Sequence, residues 1–200
     1  MSNINLSLLK IGLPNKYLQS GEYDFLLNYK TQKANTQFQT PSVIYFNEVD
    51  DYCFLVVESL PNDCKLFHPE KNDLSEGVYN SLNSNKVKHD LDKCYTQNWW
   101  INFLVEKDRT IGLYNYIVSN KDDSKIGLSS IHGDLGSENI FKNNLHHLYI
   151  IDWERSCKMG PHLTDRVAFW LGKNHNKDNN IIEFNEIFKQ ENKLDLSLAL

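Results

Sequence analysis

The stretch from Ile131 to Glu154 constrains this chain more than any other. It opens as Ile131-His132-Gly133-Asp134-Leu135-Gly136-Ser137-Glu138-Asn139-Ile140 and ends as Leu148-Tyr149-Ile150-Ile151-Asp152-Trp153-Glu154, with the polar turn Lys142-Asn143-Asn144 between. The pattern predicts a loop, a short strand, a turn carrying His146 and His147 outward, and a second apolar strand closed by Asp152. Asp134 and Asn139 are separated by one loop turn. A strand-end carboxylate beside a loop amide supplies oxygen ligands for a hard cation such as magnesium. That ion keeps several waters and shares its coordination with substrate phosphates, so one carboxylate and one amide suffice. Asp134 is then left to accept or orient a hydroxyl proton.

The remainder reads as a strand-rich first part followed by a helical one. Residues 4–11 form a short apolar strand with Lys10 in its middle, broken by Gly12 and Pro14. Glu22 to Tyr29 reads as a helix with Tyr23, Leu26 and Leu27 on one face. Pro41 precedes a strand to Phe46, and Tyr52–Glu58 supplies the second arm of an antiparallel hairpin across the acidic turn Glu48–Asp51. Leu74, Val78 and Leu82 recur at helical spacing. A helix or helix pair is expected over 91–119, with Trp100, Phe103, Leu104, Leu113, Tyr114, Ile117 and Val118 inward, and another over 164–171. The two parts join near Ser59–Asn62.

Composition removes several function classes. With 21 basic and 26 acidic residues among 200, the formal charge is −5 and the pI 5.8, so phosphate neutralisation on nucleic acid is not expected. A content of 40% hydrophobic and 24% charged residues describes a globular protein. No apolar run approaches the roughly 18 residues of a membrane span, so no membrane association is expected. Met1–Asn5 lacks the start of a secretory signal, which predicts a cytoplasmic location. Cys53, Cys64, Cys94 and Cys157 show no C-x-x-C pair, so free thiols are expected rather than zinc or disulfides.

The order His132-Gly133-Asp134-Leu135, then Asn139, then Asp152-Trp153-Glu154 resembles the kinase pattern H-R-D-L-x-x-x-N followed by D-F-G. Gly133 in place of Arg, Trp153-Glu154 after the Asp, and the lack of an A-P-E segment point away from protein kinases. They are similar to the aminoglycoside phosphotransferase and choline kinase family, whose members phosphorylate small-molecule hydroxyls. The resemblance implies an α+β, protein-kinase-like two-lobe fold. A small antiparallel β lobe would occupy residues 1–60, and a mainly helical lobe with the catalytic loop and metal site residues 61–200. It implies ATP and Mg2+ as cofactors and a small-molecule hydroxyl acceptor of aminoglycoside, amino alcohol or sugar type.

By the same resemblance Asp134 handles the acceptor proton, while Asn139 and Asp152 hold magnesium. Lys10 is similar to the strand lysine that reaches the nucleotide phosphates, and Glu22, expected to open its helix, to the glutamate that pairs with it. A lysine inside an apolar strand needs such an anionic partner. Residues 54–61 look like the last small-lobe strand and hinge, so backbone groups around Glu58–Leu60 would meet the adenine. Asp165 resembles the helix-opening Asp that braces the catalytic loop, and is equally suited to cap that helix. Glu154 is a second carboxylate or a solvated one, and His132 a hydrogen-bonding brace. The resemblance also implies two strands ahead of Lys10 whose loop covers the phosphates. Met1 comes too late to include them, so the small lobe is expected to be incomplete, as is the set of helices. Two readings follow: an active small-molecule kinase, or an inactive or truncated module that binds nucleotide or a partner.

Overall fold

A computed structural model describes residues 8–12, 16–31, 37–50, 52–68, 74–83, 85–94, 99–101, 111–119, 125–174 and 180–199. The architecture is α+β, with small antiparallel pairings and several helices. Packing divides it into two compact units, residues 1–81 with 132–157 and residues 82–131 with 158–200. The junction read near Ser59–Asn62 lies inside the first unit.

In the first unit β1 (Leu8–Gly12), β2 (Val43–Val49) and β3 (Tyr52–Val57) form a sheet in the order β1-β3-β2. The expected hairpin is present, with Phe46 opposite Leu55 and Val49 opposite Tyr52. Strand alternation buries Cys53, Leu55 and Val57. Residues 4–7 of the expected first strand lie outside the described residues, as does Pro14.

Helix α1 runs from Lys16 to Thr31, so Glu22 lies inside it rather than opening it. Its inner face carries Glu22, Leu26 and Tyr29, all buried, and Tyr23 stacks on Phe46 at 4.0 Å. Leu27, expected to share a face with Tyr23 and Leu26, is exposed. One residue past Leu26 is a 100° rotation, which turns Leu27 off the stripe defined by 22, 26 and 29.

A second sheet in this unit has the order β4-β7-β8, from Lys65–Leu66, Ile140–Lys142 and Leu148–Ile150. Its hairpin sets Ile140 opposite Ile150 and Lys142 opposite Leu148, with His146 and His147 exposed as expected. The segment ahead of β2 is tied to it, since Gln39 N–H donates to Leu148 O at 2.8 Å and Ile150 N–H to Gln39 O at 2.9 Å. Helix α2 (Glu76–Leu82) buries Val78 and Leu82, and Leu74 just ahead of it is buried too.

The second unit contains the sheet β5-β6-β9, from Val87–Asp90, Lys125–Ile131 and Cys157–Pro161. Helix α3 spans Ile111–Ser119, and Leu91–Cys94 is a 3-10 turn. Leu91, Cys94, Trp100, Ile117, Ile126 and Leu128 make one core. Trp100 and Ile117 are thus inside as expected, while Phe103 and Leu104 lie outside the described residues. Helices α4 (Thr164–Asn174), α5 (Asn180–Ile187) and α6 (Lys193–Ala199) surround a second core of Leu163, Val167, Trp170 and Phe188, with Phe184, Leu196 and Ala199 packed against it. Asp165 is buried in the first turn of α4.

Strand β6, which the sequence reading did not assign, carries Gly127, Ser129 and Ser130. Here their small size is structural. A Cβ on Gly127 would strike the His162 ring, and the two serines are bonded to Asn83 and Asn85. All four cysteines are free thiols. Among the described residues no helix is long and apolar enough to cross a membrane.

Candidate active site

Strand register places Lys10 opposite Leu55. Leu9 and Ile11 are exposed, so alternation turns Lys10 to the α1 side of the sheet. Its ammonium donates to both Glu22 carboxylate oxygens, at 3.1 and 2.9 Å, and to Asp152 Oδ1. Glu22 is 2% exposed and also accepts the Trp153 backbone N–H at 3.3 Å. Burial works against the Lys10 charge, but Glu22 and then Asp152 outweigh it, so its pKa is raised above 10.5. For Glu22 burial is the larger influence and raises its pKa, opposed by Lys10. The strand lysine, the helix glutamate and the Asp closing β8 therefore meet in one ion cluster.

The loop carrying Asp134 is fixed from several sides. Gly133 has φ +83°, and an added Cβ would run into the Arg155 carbonyl oxygen. That double constraint explains glycine at a position where the protein-kinase pattern has arginine. His132 is fully buried; its Nε2 donates to Ile151 O at 2.8 Å and its Nδ1 accepts the Asp134 N–H at 3.2 Å. Both ring nitrogens are thus used, Nδ1 on the Asp134 backbone and Nε2 on the residue before Asp152. Asn139 Nδ2 donates to Asp134 O at 2.9 Å, and Ile151 N–H donates to Asn139 O at 3.0 Å. The Asp134 carboxylate is about half exposed, with Arg155 Nε 3.7 Å from its Oδ2. Asp152 itself is left-handed, with φ 66° and ψ 59°. A non-glycine residue held there stores strain that its surroundings must hold in place.

Trp153 is the keystone that the sequence reading used only as a family mark. It is fully buried, stacks on Phe25 of α1 at 4.0 Å, and lies 4.5 Å from the His132 ring. One aromatic side chain therefore positions the helix of Glu22 and the loop of Asp134 together. Phe25 stands three residues after Glu22, a spacing that puts both on one helix face, so this contact had a signal in the sequence. Arg155 had none, because its distance to Asp134 depends on the turn at Gly133.

Asp152 retains Oδ2 after Oδ1 takes Lys10, and Asn139 retains Oδ1 after its Nδ2 donates to Asp134 O; one carboxylate and one amide are the kind of oxygen donors that would suit magnesium. Among the described residues no three His, Cys, Asp or Glu side chains form a cage.

Glu58 and Leu60 are placed elsewhere in the same unit. Glu58 N–H donates to Ser42 O at 2.9 Å. Both residues line a cavity of about 490 Å³ together with Gln39, Thr40, Ser42 and Tyr149, among others. Lys10, Asp134, Asn139 and Asp152 do not border it.

No family model matches the sequence, and no curated protein is significantly similar to it in sequence. Solved structures do match it in fold. Choline kinase LicA from Streptococcus pneumoniae aligns with a TM-score of 0.61 at 14% identity, over 100% of this chain and 71% of that one. An aminoglycoside-3'-phosphotransferase of type VIII aligns at 0.57 and 13%, over 96% and 82%. A thermostable mutant of the aminoglycoside phosphotransferase APH(4)-Ia aligns at 0.55 and 11%, over 92% and 72%. The chain has the kinase-like fold of the aminoglycoside phosphotransferase and choline kinase family.

Proposed function

We propose that the chain is a small-molecule kinase, moving the terminal phosphoryl group of ATP to a hydroxyl of an aminoglycoside, amino alcohol or sugar type of acceptor in the cytoplasm. The observation that carries this reading is the Lys10 ammonium held by Glu22 and Asp152, in the unit that also contains Asp134 and Asn139. A sheet lysine clamped by a buried helix carboxylate is a positioned cation for a phosphate tail. Asp134, half exposed on a loop braced by His132 and Trp153, is free to receive an acceptor. As the acceptor oxygen bonds to phosphorus, the bond from phosphorus to the ADP oxygen breaks and the hydroxyl proton passes to an Asp134 oxygen. Asp152 and the Asn139 amide oxygen would hold magnesium, which would supply charge neutralisation on the phosphates. Residues 1–60 and 61–200 then act as the two lobes, with backbone groups at Glu58–Leu60 toward the adenine.

Positioning and charge supply nearly all of phosphoryl-transfer catalysis. The test is ADP release and product phosphorylation over a panel of hydroxyl acceptors, comparing the native chain with Asp134→Asn. Loss of proton transfer lowers turnover about 10²–10⁴-fold with nucleotide binding retained. Equal turnover by the two proteins removes Asp134 from the reaction.

A further inference from the structure

The cavity of about 490 Å³ in the first unit lies apart from the ion cluster, since Lys10, Asp134, Asn139 and Asp152 do not border it. Three chain segments close around it. Residues 39–42 lead into β2, residues 58–61 leave β3, and Tyr149 stands on β8. Backbone bonds fix these walls: Glu58 N–H donates to Ser42 O, and Gln39 bonds with Leu148 and Ile150 on either side of Tyr149. The volume falls in the range of roughly 300–1,000 Å³ that small-molecule sites occupy.

The polar side chains of the lining are without protein partners. Gln39, Thr40, Ser42, Glu58, Ser59 and Tyr149 all border the cavity, and none of their side chains hydrogen-bonds a protein group among the described residues. Thr40 matters most, because it is only 8% exposed. A hydroxyl buried to that extent costs free energy unless something in the cavity meets it. Ile44 adds an apolar surface. Val43 faces Val57 and Tyr45 faces Val56, so Ile44 is the extra residue of a β-bulge. A bulge re-aims a side chain, and Ile44 is 54% exposed where it lines the cavity.

Charge selects the ligand. Among the described residues of the lining Glu58 is the one side chain ionised at neutral pH, and no Lys, Arg or His joins it. Burial, with Cys64 and Asp63 nearby, raises the Tyr149 pKa above 10, so its hydroxyl stays protonated and able to donate. An anion would meet Glu58 with nothing to neutralise it, which sets phosphates and nucleotides aside. We propose that this cavity is a second small-molecule site, taking a compact hydroxylated ammonium, an amino polyol or amino sugar. Its ammonium pairs with the Glu58 carboxylate and its hydroxyls bond with Thr40, Ser42, Ser59 and Tyr149. Its carbon face packs on Ile44 and Leu60. The site stands apart from the kinase reading, since binding here needs neither turnover nor the Lys10 cluster.

The test is ligand-observed NMR titration of the full chain with three six-carbon polyols that differ in charge: glucamine, a cation; sorbitol, neutral; and gluconate, an anion. A ligand of this size binds at about millimolar concentration, and the expected order is glucamine, then sorbitol, with gluconate not bound. Glu58→Gln is expected to weaken glucamine about fivefold, the most that one exposed ion pair supplies, and to leave sorbitol unchanged. Thr40→Val is expected to weaken both about three- to tenfold. Its melting temperature is expected to equal or exceed the native one, because no protein partner is lost. Saturating ADP with magnesium, and separately Asp134→Asn, are expected to leave glucamine binding as it is. No glucamine binding at tens of millimolar, gluconate bound as well as glucamine, or either cavity variant binding glucamine like the native chain overturns the proposal. Displacement by ADP, or loss of binding in Asp134→Asn, overturns it too, by assigning the ligand to the nucleotide or acceptor position.

Discussion

Replacing Glu22 by Gln probes the ion cluster most sharply. The carboxylate is buried, accepts two bonds from Lys10 and one from the Trp153 N–H, and sits where water does not reach it. In the variant one amide oxygen still accepts, but the NH₂ group faces an ammonium. Removing one partner of a buried pair costs about 3–5 kcal/mol. Lys10 keeps Asp152, and its side chain is 21% exposed, so we scale this to about 2–3 kcal/mol. For a chain of this size each kcal/mol moves the melting temperature by about 2–4 °C, which gives a drop of roughly 4–12 °C. Calorimetry measures it, with near-UV circular dichroism reporting the aromatic environment around Trp153. A double-mutant cycle with Lys10→Met isolates the pair, and a coupling of about 1–3 kcal/mol is expected. Additive effects of the two substitutions, with a melting temperature unchanged by Glu22→Gln, would refute the account of the cluster.

Gly133→Ala forces a side chain into left-handed backbone at about 1–2 kcal/mol and against the Arg155 carbonyl, so the loop must move. Turnover is expected to fall about 100-fold with the fold retained, as a displaced catalytic group does; native-like kinetics would contradict the tight fit. In the second unit His162 is buried beside Asp195, Lys86 and Glu191, and burial lowers its pKa below 6.5. A depressed histidine contributes stability above 6.5 that is lost as pH falls through its folded value. Melting temperature is therefore expected to drop from pH 7 to pH 5, and His162→Gln to flatten that slope; an unaltered slope would assign it to other groups. Lys10 has the opposite sign, its pKa being raised, so its contribution is present below 10.5 and lost only as pH rises past that value.

Much of the candidate site's layout was legible because the residues proposed for it lie close together in the chain. Asp134, Asn139 and Asp152 sit within one short stretch whose hairpin is set by Lys142-Asn143-Asn144, and a lysine in Leu8-Leu9-Lys10-Ile11 demands an anion wherever it folds. The parts that were missed depend on distant contacts. Gly127 and the serines of β6 look like a loop until His162, Asn83 and Asn85 close on them. Trp153 acts through Phe25, far away in sequence, and Leu27 was grouped with Tyr23 and Leu26 because one apolar residue looks like another until the inner stripe is fixed.

Magnesium-dependent nucleotide binding bears most directly on the reading of this fold as a kinase. Thermal shift and titration calorimetry with ATP, with and without Mg2+, compare the native chain with Asp152→Asn. The native chain is expected to gain about 2–3 kcal/mol of stability at a hundredfold excess over the dissociation constant, with most of it requiring the ion. Asp152→Asn is expected to lose the magnesium increment while keeping its fold. An absence of any shift at millimolar nucleotide, or an increment unchanged in the variant, would contradict a nucleotide site built on Lys10, Asn139 and Asp152.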